Sequence, residues 1–245
     1  GMGIRVSGAN LASAVANTGC AGVIASTGIG LFEEYKGNLL IFNGESLRKE
    51  IRKARAMSKG IIGVNILFAL TDYENLVKVS VEEKVDMIIS GAGLPLDLPK
   101  FLNGQDIKLI PVVSSAKALA LIIKRWKGRY NKLPDAVIVE GYKAGGHLGY
   151  SAESLADNTA MELEDIVSQV VELANSFEQK IPVIAAGGIF DGGDIAKFLK
   201  LGASGVQMAT RFVCTEECDA HINFKQAYIN AKEGDITIIK SPVGL

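Results

Sequence analysis

The stretch from Ala136 to Tyr150 reads AVIVEGYKAGGHLGY. Four apolar residues, Ala136 to Val139, run without alternation into Glu140, and a glycine-rich loop follows. A short unbroken apolar run bounded by glycine reads as a strand covered on both faces, as in a parallel sheet flanked by helices. Gly141, Gly145, Gly146 and Gly149 surround His147, one of two histidines in the chain. Glycines at a strand end let backbone come close to a ligand.

The same strand-then-loop-then-helix unit recurs on either side. Ser7 reads as an N-cap, with Leu11, Ala14 and Val15 on one helical face and Gly19 as terminator. The strand Ala21 to Ala25 and a long loop, Thr27 to Gly44, follow, and Ser46 reads as the cap of a helix bearing Leu47, Ile51, Ala54 and Met57. Strands are then expected at Ile61–Ile66, Met87–Ser90, Lys108–Val113, Ala136–Glu140, Pro182–Ala186 and Gly205–Met208. Helices are expected at Tyr73–Glu83, from about Ser115, at Leu163–Phe177, Asp194–Leu201 and Asp219–Lys232, with a short one after GAGLPLDLP. Every strand is apolar throughout, and seven strand–helix units make the class α/β. Seven is one short of a (βα)8 TIM barrel, and the chain opens at what reads as a loop following a strand. The first barrel strand is therefore expected upstream of Gly1, and the end after SPVG is equally abrupt. An open doubly wound sheet is the alternative. The 245 residues read as one domain.

Composition narrows the function classes. A formal charge of −1, with neither sign concentrated, supports neither nucleic-acid nor polybasic membrane binding. Three cysteines, Cys20, Cys214 and Cys218, do not make a disulfide framework, so a cytoplasmic location is expected. Val6 to Phe32 carries no charge, but Asn10, Asn17, Thr18 and Gly19 interrupt it as a membrane span. A small-molecule partner is expected.

In a parallel barrel the site forms at the C-terminal strand ends, and a phosphate group often sits on the loops after strands seven and eight. Counting the upstream strand, those loops carry Gly187 and Gly188, then Gln207, Met208, Ala209 and Thr210. Glycine amides, the Thr210 hydroxyl and the next helix N-terminus suit an anion, although Gly187 and Gly188 also suit a plain tight corner. No G-x-G-x-x-G follows a strand and no G-x-x-x-x-G-K-[ST] is present, so a mononucleotide or sugar phosphate fits better than a dinucleotide. Polar residues end other strands: Asn65, whose amide both donates and accepts, Ser90, Ser114 and Glu140. His147 is the candidate proton-transfer residue, with a structural histidine as the alternative. His221 reads as a surface residue within the last helix. Cys214, Cys218 and His221 supply only three ligands for a closed zinc site, so no metal is expected. No G-x-S-x-G elbow is present.

The segments GMGIRVSGANLASAVANTG, VNILFA, ISGAG, VEGYKAGGHLG, IPVIAAGGIFDG and GVQMATRFVCTEEC, in this order, resemble the nitronate monooxygenase (2-nitropropane dioxygenase) family of FMN-dependent TIM barrels. Flavin-dependent enoyl-acyl-carrier-protein reductases and NADH:quinone reductases share the E-G-x-x-A-G-G-H-x-G signature. The resemblance implies a single FMN-binding domain over residues 1–245. Met2 and Gly3 would lie along the flavin, Asn65 would bond its edge, and Ser90, Glu140, Gly145 and Gly146 would line it. Gly187, Gly188, Gln207, Met208, Ala209 and Thr210 would hold the phosphate. It further implies a catalytic His147, oxidation of alkyl nitronates or nitroalkanes with O2 to a carbonyl compound and nitrite, and an assembly compatible with a homodimer. The alternative is NAD(P)H-dependent reduction of an enoyl thioester or a quinone. Lys143 stands where the family often has an acid, and an ammonium there would favour an anionic substrate.

Overall fold

The computed structural model describes residues 1–31 and 39–239. In chain order the elements are α1 (Ala9–Asn17), β1 (Gly22–Ala25), α2 (Leu39–Met57), β2 (Ile62–Leu67), α3 (Tyr73–Glu82), β3 (Met87–Gly91), β4 (Lys108–Val113), α4 (Ala116–Tyr130), β5 (Val137–Glu140), α5 (Ala152–Ala156), α6 (Leu163–Asn175), β6 (Val183–Ala186), α7 (Gly192–Lys200), β7 (Gly205–Gln207) and α8 (Ile222–Asn230). Short 3-10 turns lie at Leu98–Phe101, Thr210–Phe212 and Glu233–Asp235. The strand–helix alternation expected of a parallel α/β barrel is present. Two compact units divide the chain, Gly1–Val85 with Ala209–Leu245, and Asp86–Met208.

In the first unit β1 and β2 pair in parallel, Ala25 opposite Asn65. Ile24, Ile62, Val64 and Ile66 are buried, because helices cover strands that carry no polar alternation. The helix α2 starts at Leu39, inside the expected loop and well before Ser46. Ser46 is therefore a buried mid-helix residue rather than a cap. Gly44, a weak helix residue, lies within α2 where a Cβ would stand 2.9 Å from Asn75 Nδ2, so tertiary packing outweighs propensity there. Residues 32–38 of the expected loop and the terminal SPVG lie outside the described residues.

Helix α1 begins at Ala9 with Gly8 as N-cap, not with Ser7. Ser7 instead accepts from Met2 N at 3.0 Å. The cap comes from far along the chain: Asp219 accepts from the amides of Gly8, Asn10 and Leu11 at 2.9, 3.2 and 3.1 Å, and Glu50 accepts from Ala9 at 2.7 Å. Asp219 for this reason does not open the last helix. That helix, α8, starts at Ile222 with His221 as N-cap, whose Nδ1 accepts from Asn223 N at 3.2 Å. His221 is thus a cap rather than a residue inside the helix.

In the second unit β3 to β7 pair in parallel in sequence order. Ser115 caps α4 as expected, accepting from Ala118 N, and Asn131 ends it in the left-handed conformation. Trp126 is fully buried, with its indole donating to Pro95 O at 3.0 Å. Helix α6 buries Leu163, Ile166, Val167, Val170 and Ala174, an apolar stripe at helical spacing. Helix α7 starts two residues earlier than expected, at Gly192, because Asp191 and Asp194 form a reciprocal capping box. Among the described residues no helix is long and apolar enough to cross a membrane.

Candidate active site

Parallel pairing puts the C-terminal ends of β3 to β7 on one edge of the second unit. Register places Ser90 opposite Pro111, Val113 opposite Val139, Glu140 opposite Ala186, and Ala186 opposite Gln207. The expected residues Ser90, Glu140, Gly187 and Gly188 with Gln207 and Met208 therefore stand at or just past adjacent strand ends. Ser90 is fully buried. The histidine loop, residues 141–149, leaves β5 directly above this edge.

Contacts between the loop and the glycine pair explain why the pair is glycine. Gly187 has φ +100°, and a Cβ on it would lie 3.0 Å from Gly141 O and 3.1 Å from Ala144 N. Gly188 has φ +73°, and its Cβ would lie 3.0 Å from Lys143 Cβ. Left-handed backbone and close approach both forbid a side chain there. Gly145 and Gly146 differ in their surroundings, since a Cβ on either would meet nothing within 4 Å, although Gly146 also has left-handed backbone, at φ +89°. These two exposed glycines leave open space over the backbone beside His147, room that a planar ring such as a flavin's could occupy.

The N-terminus of α7 does not add to an anion site as expected. Asp191 accepts from Gly193 N and Asp194 N, and Asp194 accepts from Phe190 N and Asp191 N. Two carboxylates already hold those amides, so an anion near Gly187 and Gly188 meets local negative charge.

Tethers hold the histidine loop. Tyr150 donates from its hydroxyl to Glu140 O at 3.1 Å, and Ser114 Oγ donates to Gly149 O at 3.1 Å. Tyr142 donates to Glu162 Oε1 at 2.7 Å, and its ring meets that of Tyr150 edge-on, with centroids 6.2 Å apart. His147 is half-buried and Lys143 is exposed, its ammonium 5.6 Å from the Tyr142 ring centroid. Burial pushes the Glu140 carboxyl up to about 7 and also raises the Tyr150 phenol.

In the first unit Met2 and Ser7 exchange two hydrogen bonds, and Ile4 N donates to Thr27 O at 2.7 Å. Ile4 and Arg5 both have left-handed backbone, at φ 54° and 58°, a rare state for a β-branched residue, which marks the turn after Gly3 as strained. Asn65 O accepts from Ser26 N at 3.0 Å, and the buried Ser26 hydroxyl has no partner among the described residues. Met2, Gly3 and Asn65 are thus gathered at the ends of β1 and β2. Ala209 and Thr210 belong to this unit as well, Thr210 opening a three-residue 3-10 turn rather than a full helix. A cavity of about 200 Å³ in this unit is lined by Arg5, Ser7, Asn10, Glu50, Lys53 and Asp219, none of them an expected flavin contact.

No group of three metal-ligating side chains occurs among the described residues. Cys214 and Cys218 donate to Lys225 O and Val6 O, respectively. Sequence reasoning missed Tyr142 and Tyr150, although both lie in or beside the histidine loop. It also missed Ser26 and Asp219, whose roles depend on strand ends and a cap more than 200 residues away in sequence.

Comparison with known proteins gives this edge its context. An indene-carboxyl-CoA dehydrogenase of Mycobacterium tuberculosis, in full a (3aS,4S,5R,7aS)-5-hydroxy-7a-methyl-1-oxo-octahydro-1H-indene-4-carboxyl-CoA dehydrogenase, is 32% identical over 94% of this chain and 56% of that protein. A probable nitronate monooxygenase of Staphylococcus aureus is 28% identical over 82% of this chain and 63% of that protein. The chain thus spans 56–63% of the length of these two curated relatives. The structure of FabK from Thermotoga maritima superposes with a TM-score of 0.73 at 33% identity, covering 94% of this chain and 63% of that one, which assigns the fold to the (βα)8 barrel class. The family model for nitronate monooxygenase matches residues 64–244, a span that holds the histidine loop, both glycine-bearing strand ends and the capping Asp219. With the matched span covering most of the chain, this protein belongs to the nitronate monooxygenase family.

Proposed function

We propose that the chain binds FMN and oxidises alkyl nitronates or nitroalkanes with O2, giving a carbonyl compound and nitrite. The observation that carries this reading is the open backbone at Gly145 and Gly146 beside His147, on the loop bearing the family's signature. Bound flavin supplies the two-electron redox chemistry, and the protein supplies position and electrostatics. Gly145, Gly146, Ser90 and Glu140 line the ring. Gly187, Gly188, Gln207 and Met208 hold the phosphate.

His147 takes a proton from the α-carbon of a neutral nitroalkane, and orients the anion when the substrate is already a nitronate. Lys143, on the same loop, adds a positive charge that favours the anion's approach. Its role predicts a several-fold higher nitronate KM in Lys143→Ala with little change in kcat; an unchanged KM removes the role. The place of action in this reading is the cytoplasm.

A second reading is favoured by the carboxyl-CoA dehydrogenase relative: NAD(P)H-dependent reduction of an enoyl thioester or a quinone on the same site. Anaerobic stopped-flow mixing separates the two. Nitronate is expected to bleach the flavin band rapidly and NADH slowly. Rapid bleaching by NADH, with none by nitronate, would sink the first reading and establish the second.

A further inference from the structure

The histidine loop is stiff at some points and loose at others. On the N-terminal side Gly141 N donates to Ala186 O at 2.9 Å and Ala144 N to Gly141 O at 3.1 Å. Then come Gly145 and Gly146, which have no side chains and open space where a Cβ would be. Two consecutive glycines pass little positional restraint along a chain, because their backbone torsions are the least restricted of any residue. The His147 backbone is also held from its C-terminal side. Two side chains act there. Ser114 at the end of β4 holds Gly149 O, and Tyr150 turns back so that its hydroxyl donates to Glu140 O at the end of β5. The second bond closes residues 140–150 into a ring that begins and ends on the same strand end. The Tyr150 ring is half-buried and rests edge-on against Tyr142, which is itself tied to Glu162 at the start of α6. A rigid aromatic arm with two rotatable bonds thus links the residue three positions after the histidine to the sheet.

We propose that Tyr150, which lies one residue beyond the loop's glycine–histidine signature, is a positioning residue that sets where His147 stands over the site. The proposal rests on the reading of His147 as the proton-transfer residue. Tyr150→Phe keeps the ring and its contact with Tyr142 and deletes only the bond to Glu140 O.

The chain contains only two histidines, and His221 caps α8 in the other unit, so the imidazole NMR signals carry their own control. In Tyr150→Phe the His147 signal, assigned with His147→Asn, is expected to shift or broaden while the His221 signal stays put. Turnover of neutral nitroalkane is expected to fall about tenfold or more, the size of effect produced by misplacing a reacting group by about 1 Å. KM and the visible flavin spectrum are expected to stay within about twofold and unchanged, respectively, since the group that binds is untouched. Ser114→Ala removes the second tether and is expected to move the same His147 signal, which keeps the test alive if Tyr150→Phe fails to fold. An unmoved His147 signal and full turnover in Tyr150→Phe, alongside an inactive His147→Asn, overturns the positioning role alone. Full turnover in His147→Asn overturns the reading of the site and the positioning role with it. In a Tyr150→Phe protein that remains folded, loss of flavin binding with both histidine signals shifted reduces the residue to a purely structural one and also overturns the proposal.

Discussion

Glu140 concentrates the residue-scale physics. It ends a strand whose other three residues are buried, and burial pushes its carboxyl from 4.5 to about 7. An acid whose folded pKa lies above its unfolded one binds more protons in the folded state between those two values. Its contribution to stability is full below about pH 4.5 and is lost as pH rises through about 7, amounting to about 3 kcal/mol at most. Urea denaturation of the apoprotein between pH 4.5 and 7.5 is expected to show this decline, and Glu140→Gln to flatten it. An identical slope in the variant would falsify the assignment. Glu140 was legible as a polar residue at a buried strand end, but its protonation was not, because that depends on how much water the finished fold leaves beside it.

At the scale of elements, the cap of α1 shows how local patterns and tertiary contacts divide the work. Ser7 precedes an apolar helical face and reads as an N-cap, yet it is engaged with Met2. The three amides it might have served are held by Asp219, a charged acceptor, which makes these bonds stronger than neutral ones. Asp219→Ala is expected to lower stability by about 1–2 kcal/mol in urea titration, with Asp219→Asn losing less, because asparagine also accepts from helix amides. Equal stability of all three proteins would show that the cap contributes nothing. The same contact fastens residues 6–11, which follow the strained Ile4–Arg5 turn, since Cys218 Sγ also donates to Val6 O at 3.3 Å. Helix starts set by adjacent residues were placed well from sequence, as at Ser115. The start of α1, set by the distant Asp219, was not. Helix α7 shows a milder case, in which a reciprocal Asp191–Asp194 pair moves the start by two residues.

For the whole molecule, the glycine-bearing strand ends lead to a ligand-linkage prediction. A ligand that binds only the folded state stabilises it by mass action, by about 2.7 kcal/mol at a hundred times its Kd. FMN is expected to raise the thermal midpoint of the apoprotein by several degrees. Riboflavin, which lacks the phosphate, is expected to raise it distinctly less at equal concentration. Equal shifts would show that Gly187, Gly188, Gln207 and Met208 hold no phosphate, and the carboxylates at the start of α7 make this a demanding test. The sequence by itself determined the alternation of buried parallel strands and covering helices, because unbroken apolar runs can be satisfied only inside a two-sided sheet. It also determined which strand ends carry glycine and polar groups, and so the edge on which the site is proposed. Only the tertiary structure decided why each glycine is there. Gly187 and Gly188 are excluded from having side chains by the neighbouring loop, whereas Gly145 and Gly146 face open space. It alone decided the long-range cap from Asp219 and the closure of the histidine loop by Tyr150, since hydrogen bonds between residues far apart in the chain, or across a folded loop, leave no periodic trace in the order of amino acids.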